Sequence, residues 1–452
     1  HAIQDSGGFA DMGTILAPFM TRPMSSGVYA IPNIECRTTS VVTNTTPIVA
    51  YRGAGRPEAT AAIERAMDLF ALEIGKDAAE VRRMNLIPKF LEPHTTVVGQ
   101  TYDVGDYETA LDKALDAADY KALRAEQAKR RASGDAKQLG IGVSVYVEIT
   151  GGVGNGESAK VEVLEDGRAV VYTGTSPHGQ GHDTAWSMLV QEQTGIPMDR
   201  IELVWGDTDL VPVGTGTMGS RSLQQGGNAV FQVAGTLAEK AKSVAARLLE
   251  VSEADVVLDK DRGAFHVVGT PAVTKTWADL AVAEKSTGGL LHDEVINVSG
   301  ATFPFGAHVA VVEVDTETGR VKHLRQVACD DAGKVLNPML LDGQIHGGVA
   351  QGVAQALLEE VLYDADGNPT TSNLADYGFI SAAELPNVEV IHMETPTPVN
   401  AIGAKGIGES GTIGSTPAIQ SAVVDAVSHL GVKHIEMPCT AERVWRAIQA
   451  AQ

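Results

Sequence analysis

The sequence predicts an α+β fold in two parts, and three observations carry that expectation. A chain of 452 residues, 44% hydrophobic and 20% charged, has more apolar surface than one ordinary core buries, so two or more domains are expected. Helical periodicity dominates up to about residue 133, and alternating strand patterns take over from Gly140. Beyond that, glycine-rich loops repeatedly precede helical runs, which puts open backbone at helix N-termini. The expected division is 1–138 and 139–452.

The chain begins His1-Ala2-Ile3-Gln4-Asp5 without an initiator Met and passes at once into apolar sequence, so the first part is expected to be incomplete at its N-terminus. From Pro57 to Gly75 the pattern is an amphipathic helix, with Pro in its first turn and Gly just past its end. Residues 106–133 continue as strongly charged helix, from Asp106 to Arg131, whose charges read as a solvated face. Gly140 to Thr150 alternates apolar and small residues as a strand does. Lys160–Leu164 and Ala169–Tyr172 flank Glu165-Asp166-Gly167-Arg168 as a hairpin. A weak internal echo follows: helix Thr184–Thr194, Gly195 and strand Ile201–Leu203 are matched by helix Pro417–Leu430, Gly431 and a strand at Ile435–Met437.

A net charge of −22 opposes binding to nucleic acid phosphates or anionic lipid. The sequence has no polybasic tail and no apolar span of about twenty residues, so neither a signal peptide nor a membrane helix is expected, and the cytoplasm is the expected compartment. Cys36, Cys329 and Cys439 form no C-x-x-C pair, which argues against a disulfide framework, a zinc site and a resident iron-sulfur cluster.

The polar loops carry the chemistry. Gly403 to Gly411 place one carboxylate, Glu409, in a loop of small residues, where it can meet a ligand at close range. Gly406, Gly408 and Gly411 satisfy the spacing of a dinucleotide-binding turn, but Thr395-Pro396-Thr397-Pro398 is a poor strand to precede one, and that reading is rejected. Ser176 to Asp183 and Gly214 to Ser222 each precede a helix, with Gln224 and Gln225 beside the second. His178 and His182, separated by Gly-Gln-Gly, do not make a metal cage. Amide and hydroxyl groups suit a large polar ligand with phosphates and a heterocycle; ordinary capping and turn chemistry is the alternative for either loop alone. Arg52 and Arg56 sit among small residues ahead of a helix, placed either to orient a carbonyl or carboxylate or as surface arginines beside a turn.

Five segments occur in a telling order: Ala50-Tyr51-Arg52-Gly53-Ala54-Gly55-Arg56-Pro57-Glu58, His178-Gly179-Gln180-Gly181-His182, Gly219-Ser220-Arg221-Ser222, Gln344 through Gly352, and Lys405-Gly406-Ile407-Gly408-Glu409. With them nearly the whole chain resembles the C-terminal, molybdenum-binding part of the large subunit of molybdenum hydroxylases, the xanthine dehydrogenase and aldehyde oxidase family, and most closely the bacterial sequences of the carbon monoxide dehydrogenase large-chain type. The resemblance implies a two-part molybdenum cofactor-binding domain. It also implies an oxidoreductase that hydroxylates an aldehyde or an N-heteroaromatic compound with water-derived oxygen; the alternative is a non-catalytic cofactor-binding fragment of such a subunit.

Residue by residue, Glu409 matches the family's active-site base, Arg52 an arginine of the substrate pocket, and Gln180 a glutamine near the metal. Burial beside an anionic cofactor is expected to raise the Glu409 pKa toward neutrality. Gly179, Gly181, His182, Asp183, Gly219, Ser220, Arg221, Ser222, Gln344, Gln351, Lys405, Gly406, Ile407 and Gly408 match loops that hold the pterin and, in bacterial members, its cytosine dinucleotide form. No direct molybdenum ligand is expected from the protein. Iron-sulfur clusters and FAD are expected on partner chains, an iron-sulfur small subunit and a FAD medium subunit, alongside the upstream part of the same large subunit, in a dimer of heteromers. One departure bears on substrate: carbon monoxide-oxidising members carry a copper-binding cysteine after the Tyr-Arg pair, and Gly53 stands there, so carbon monoxide oxidation is not expected.

Overall fold

The structure is a computed structural model that describes residues 1–152, 156–298 and 300–451. Strands β1 (Ala2–Asp5) and β2 (Thr38–Val41) pair in parallel. Helix α1 (Arg56–Glu73) has Pro57 in its first turn, where a missing N–H costs nothing, and α2 (Ala78–Asn85) is capped by the Asp77 carboxylate. A short pair, β3 (His94–Thr95) and β4 (Thr101–Tyr102), follows. The predicted 106–133 helix is two helices, α3 (Tyr107–Ala118) and α4 (Tyr120–Ser133), because Asp119 takes a left-handed φ of 52° between them.

The predicted strands come next: β5 (Lys137–Val147), β6 (Glu157–Val163) and β7 (Ala169–Thr173), the last two forming the expected hairpin. Helix α5 (His182–Thr194) leads to β8 (Ile201–Val204), and the long α6 (Asn228–Leu249) to the three-stranded sheet of β9 (Val256–Asp259), β10 (Ala264–Val267) and β11 (Thr270–Thr276). After α7 (Trp277–Glu284) come β12 (Leu290–Ile296), β13 (Phe305–Asp315), β14 (Val321–Asp331), α8 (Pro338–Leu357), β15 (Val388–Met393), α9 (Ser410–Val427) and α10 (Ala441–Ala451).

Two four-stranded sheets organise these elements, ordered β12-β6-β7-β8 and β15-β14-β13-β5. In each, an antiparallel hairpin is followed by a crossover helix and a parallel strand: β6-β7-α5-β8 and β13-β14-α8-β15. The internal echo therefore matches α5 with α8, and the expected pairing with the 417–430 segment is corrected. Ile435–Met437 is not a strand; Ile435 is instead buried beside α9, where its carbonyl accepts from Gln420 at 2.9 Å. Helix α9 also begins seven residues before Pro417, which lies inside it.

The sheet containing β13 is covered on both faces, and β13 and β5 accordingly read as nearly unbroken buried runs. One face packs against residues between 24 and 118, among them Tyr107, Leu111 and Ala114 of α3. The other packs against α8, α9 and α10. A third core lies between the second sheet and α5, α6 and α7. Buried Glu64 ties α1, α2 and β5 together: its carboxylate accepts from Tyr29, from Arg82 Nε at 2.7 Å and from the Val145 N–H at 3.2 Å. Among the described residues no helix is long and apolar enough to cross a membrane.

Candidate active site

The approach to α1 and the start of α9 meet at one carboxylate. Gly53 has φ +99°, and a Cβ there would fall 2.7 Å from Pro57 Cγ, so only glycine allows the tight turn that aims its N–H at Glu409 Oε1, 2.9 Å away. Arg56 Nη2 donates to Glu409 Oε2 at 2.8 Å, and Ser220 Oγ lies 2.8 Å from the same oxygen. Glu409 is the N-cap residue of α9, yet its side chain does not cap the helix. The side chain points instead at a cavity of about 560 Å³, which it lines together with Arg52 and Gln180. Residues at least 128 positions apart in sequence thus converge, since Arg52, Gln180 and Glu409 come from separate loops.

Most of the other expected residues line the same cavity: Gly179, His182, Gly219, Ser220, Ser222, Gln344, Lys405, Gly406, Ile407 and Gly408. Gly181, Asp183, Arg221 and Gln351 do not. Gly181 is the N-cap of α5 and Asp183 is exposed in its first turn. Arg221 turns inward to the buried Glu157 and the Gly216 carbonyl. Gln351 accepts from Arg52 Nη1 at 3.1 Å. Arg52 also donates to the Gly408 carbonyl at 2.5 Å and to the Gln344 carbonyl and side-chain oxygen, each at 3.1 Å, so its guanidinium clamps the Glu409 loop to α8. His182 is buried, its Nδ1 is 2.9 Å from the Thr175 carbonyl, and it stacks on Trp186 at 4.6 Å; burial pushes its imidazole below the ordinary range.

The expected rise in the Glu409 pKa is not found. Burial alone would push it up, but Arg56, Ser220 and the Gly53 N–H together hold it below the usual carboxylate range. The rise falls on Glu148, one residue beyond β5. This wholly buried carboxyl is pushed up to about 8 by burial and then by the nearby Glu409 charge. Sequence reasoning passed over Glu148, although a lone acid closing the apolar run Val143–Val147 was a usable signal. It also left Arg56 undecided, and missed the loop before α8, whose Lys334 and Asn337 line the cavity. Asn337 followed by Pro338 is a recognisable helix start, and Asn337 indeed caps α8.

Models of the molybdopterin cofactor-binding domain match residues 1–86 and 113–386. The chain belongs to this family, the cofactor-binding domains of the xanthine dehydrogenase family. It is 41% identical over 443 residues to the carbon monoxide dehydrogenase large chain of Hydrogenophaga pseudoflava, an alignment covering 94% of this chain and 55% of that one. A solved Cu,Mo-CO dehydrogenase structure superposes with a TM-score of 0.92 at 35% identity, covering 99% of this chain and 59% of the other. Quinoline 2-oxidoreductase from Pseudomonas putida 86 superposes with a TM-score of 0.91 at 33% identity, again covering 99% and 59%. The chain spans little more than half the length of the curated relatives it matches.

The cavity of this molybdopterin-binding chain fits the cofactor on its own chemistry. Helices α5 and α9 both present N-termini without a side-chain cap beside the cavity, leaving N–H groups for phosphate oxygens. Gly179 and Gly219 line it with positive φ and open space where a Cβ would project, whereas a Cβ on Gly406 would meet the Ser220 carbonyl at 2.0 Å, so the loops close on each other at bare backbone. Trp186, also in the lining, has a buried indole N–H with no protein acceptor. Among the described residues no three His, Cys, Asp or Glu side chains gather as a metal site.

Proposed function

We propose that this chain is the cofactor-binding part of a molybdenum hydroxylase that oxidises an aldehyde or an N-heteroaromatic compound, with Glu409 as its general base. The observation that carries this reading is the placement of Glu409: a carboxylate kept ionised by Arg56, Ser220 and the Gly53 N–H, in the wall of a cavity built from glycine loops. When bound, molybdopterin supplies the two-electron redox chemistry of the hydroxylation. Gly179, Gln180, His182, Gly219, Ser222 and the Lys405–Gly408 loop would hold it, in the cytosine dinucleotide form. Glu409 Oε2 already accepts two protein hydrogen bonds and Oε1 one, so the proton taken from the reacting oxygen goes to the free lone pair of Oε1. Gln180 orients the reacting groups from the α5 side. Arg52 acts by fixing the Glu409 loop as well as by lining the substrate space.

Carbon monoxide is set aside as substrate, because Gly53 stands where carbon monoxide-oxidising members carry the copper-binding cysteine. Electrons leave through iron-sulfur and flavin chains of a cytoplasmic heteromeric assembly, with the upstream part of the same large subunit completing the first block.

The test is Glu409→Gln in the native assembly. The amide keeps size and polarity but accepts no proton, so turnover falls by about two to four orders of magnitude while molybdenum content is unchanged. Near-normal turnover removes Glu409 from the chemistry, and loss of molybdenum with activity marks it as a holding residue of a cofactor-binding fragment.

A further inference from the structure

We propose that Glu148 is a positioning residue for this reaction: it carries a proton that it shares with Glu409 through Ser220, and so keeps Glu409 ionised and turned to the cavity. The inference rests on the base role of Glu409 argued above. It follows from counting hydrogens. Ser220 Oγ lies 2.8 Å from Glu409 Oε2 and 3.1 Å from Glu148 Oε1, yet a hydroxyl has one hydrogen and donates to only one of them. Ser410 Oγ, 2.6 Å from Glu148 Oε2, spends its hydrogen there. Arg56 Nη2 gives one of its two hydrogens to Glu409 at 2.8 Å and stands 3.5 Å from Glu148 Oε1, beyond a good hydrogen bond. Two ionised carboxylates would therefore face each other in a buried site with one oxygen lacking a donor. A proton on Glu148 completes the set: Glu148 Oε1–H donates to Ser220 Oγ, and Ser220 O–H donates to Glu409 Oε2.

The backbone supports this arrangement. Ser220 has φ +54°, and the other non-glycine residues with positive φ among those described, Asp119 and Glu250, are both helix C-caps. A serine held in the left-handed region away from a helix end is a strained position kept by its surroundings. The groups facing Glu148 are Glu409 and Ser410 at the start of α9, Arg56 at the start of α1 with Arg52 ahead of it, and Ser220; on its own strand Tyr146 turns to Asp330, to which it donates at 2.6 Å. The upward shift of Glu148 and the downward shift of Glu409 agree with one proton placed on the deeper acid.

Glu148→Gln, Glu148→Leu and Glu409→Gln in the native assembly test the proposal. Glutamine copies the protonated acid, donating to Ser220 and accepting from Ser410, but cannot ionise; leucine offers no donor. The wild-type kcat is expected to fall as pH rises through about 8, the value at which Glu148 loses its proton, and this alkaline fall is expected to vanish in Glu148→Gln. Glu148→Leu is expected to lower kcat on the order of tenfold with KM little changed, and glutamine to recover most of that loss. Independently of turnover, infrared difference spectra are expected to show a protonated-carboxyl C=O band at pH 7 that is absent from Glu148→Gln and titrates at lower pH in Glu409→Gln. Absence of that band from the wild type, or an unchanged alkaline fall in Glu148→Gln, overturns the proposal. Full activity in Glu409→Gln sinks the base role instead, and the infrared band then decides the shared proton by itself.

Discussion

Two carboxyls joined by one serine are shifted in opposite directions from the ordinary carboxylate range, and that has a consequence for stability. Glu148 has a folded pKa of about 8 against an ordinary 4.5, so between those values the folded state binds the proton that the unfolded state has lost. Its contribution is fully present below about 4.5 and is lost as pH rises through about 8. Glu409, shifted down, contributes above 4.5 and loses that contribution as pH falls through its lower folded value. Denaturant unfolding at a series of pH values should show stability declining from pH 6 to pH 9 in the wild type, at up to about 1.4 kcal/mol per unit from this one group, with a flatter profile in Glu148→Gln. An identical slope in both would contradict the raised pKa. Glu409 was legible in the sequence because glycines isolate it. Glu148 left only the faint signal of an acid closing an apolar run, since its burial exists only once β5 pairs with β13 and α9 closes over both.

Close approach sets the elements. Helix α9 packs against β5 through Gly140 and Gly142, where a Cβ would meet the Ala422 and Ala418 carbonyls at 1.9 Å. Gly142→Ala is therefore expected to destabilise the fold by about 1–3 kcal/mol or more through overpacking. Gly343, exposed within α8 with nothing near its missing Cβ, is the control: Gly343→Ala should stabilise by about 0.5–1 kcal/mol. Thermal unfolding of both variants checks the pair, and equal shifts would contradict the packing described. The same glycines explain what pattern reading achieved. Helices α1 and α5 and the β6–β7 hairpin were legible because their periodicity and turn residues agree. The start of α9 was not: Gly411 and Gly414 looked like loop and Pro417 like a first turn, whereas the glycines serve to let α8 and His308 come close.

Across the molecule, the α+β architecture was readable from the change of periodicity and the convergence of distant loops from the resemblance their order carries, while the sheet order was not, because β5 joins a sheet whose other strands come more than 150 residues later. Long-range charge pairs hold this arrangement. Lys405 is fully buried, bonds Asp331 at 3.0 Å at the end of β14 and lies 4.6 Å over the Phe305 ring, anchoring the cavity loop to the sheet. Lys405→Met leaves Asp331 unpaired and should cost about 3–5 kcal/mol, read as a lower denaturation midpoint. The decisive experiment is anomalous diffraction at the molybdenum absorption edge on crystals of the native assembly. A single strong peak is expected inside the cavity lined by Gln180, Gly219 and Glu409. A fully occupied peak elsewhere on the chain, or none in a catalytically active preparation, would contradict the assignment of this cavity.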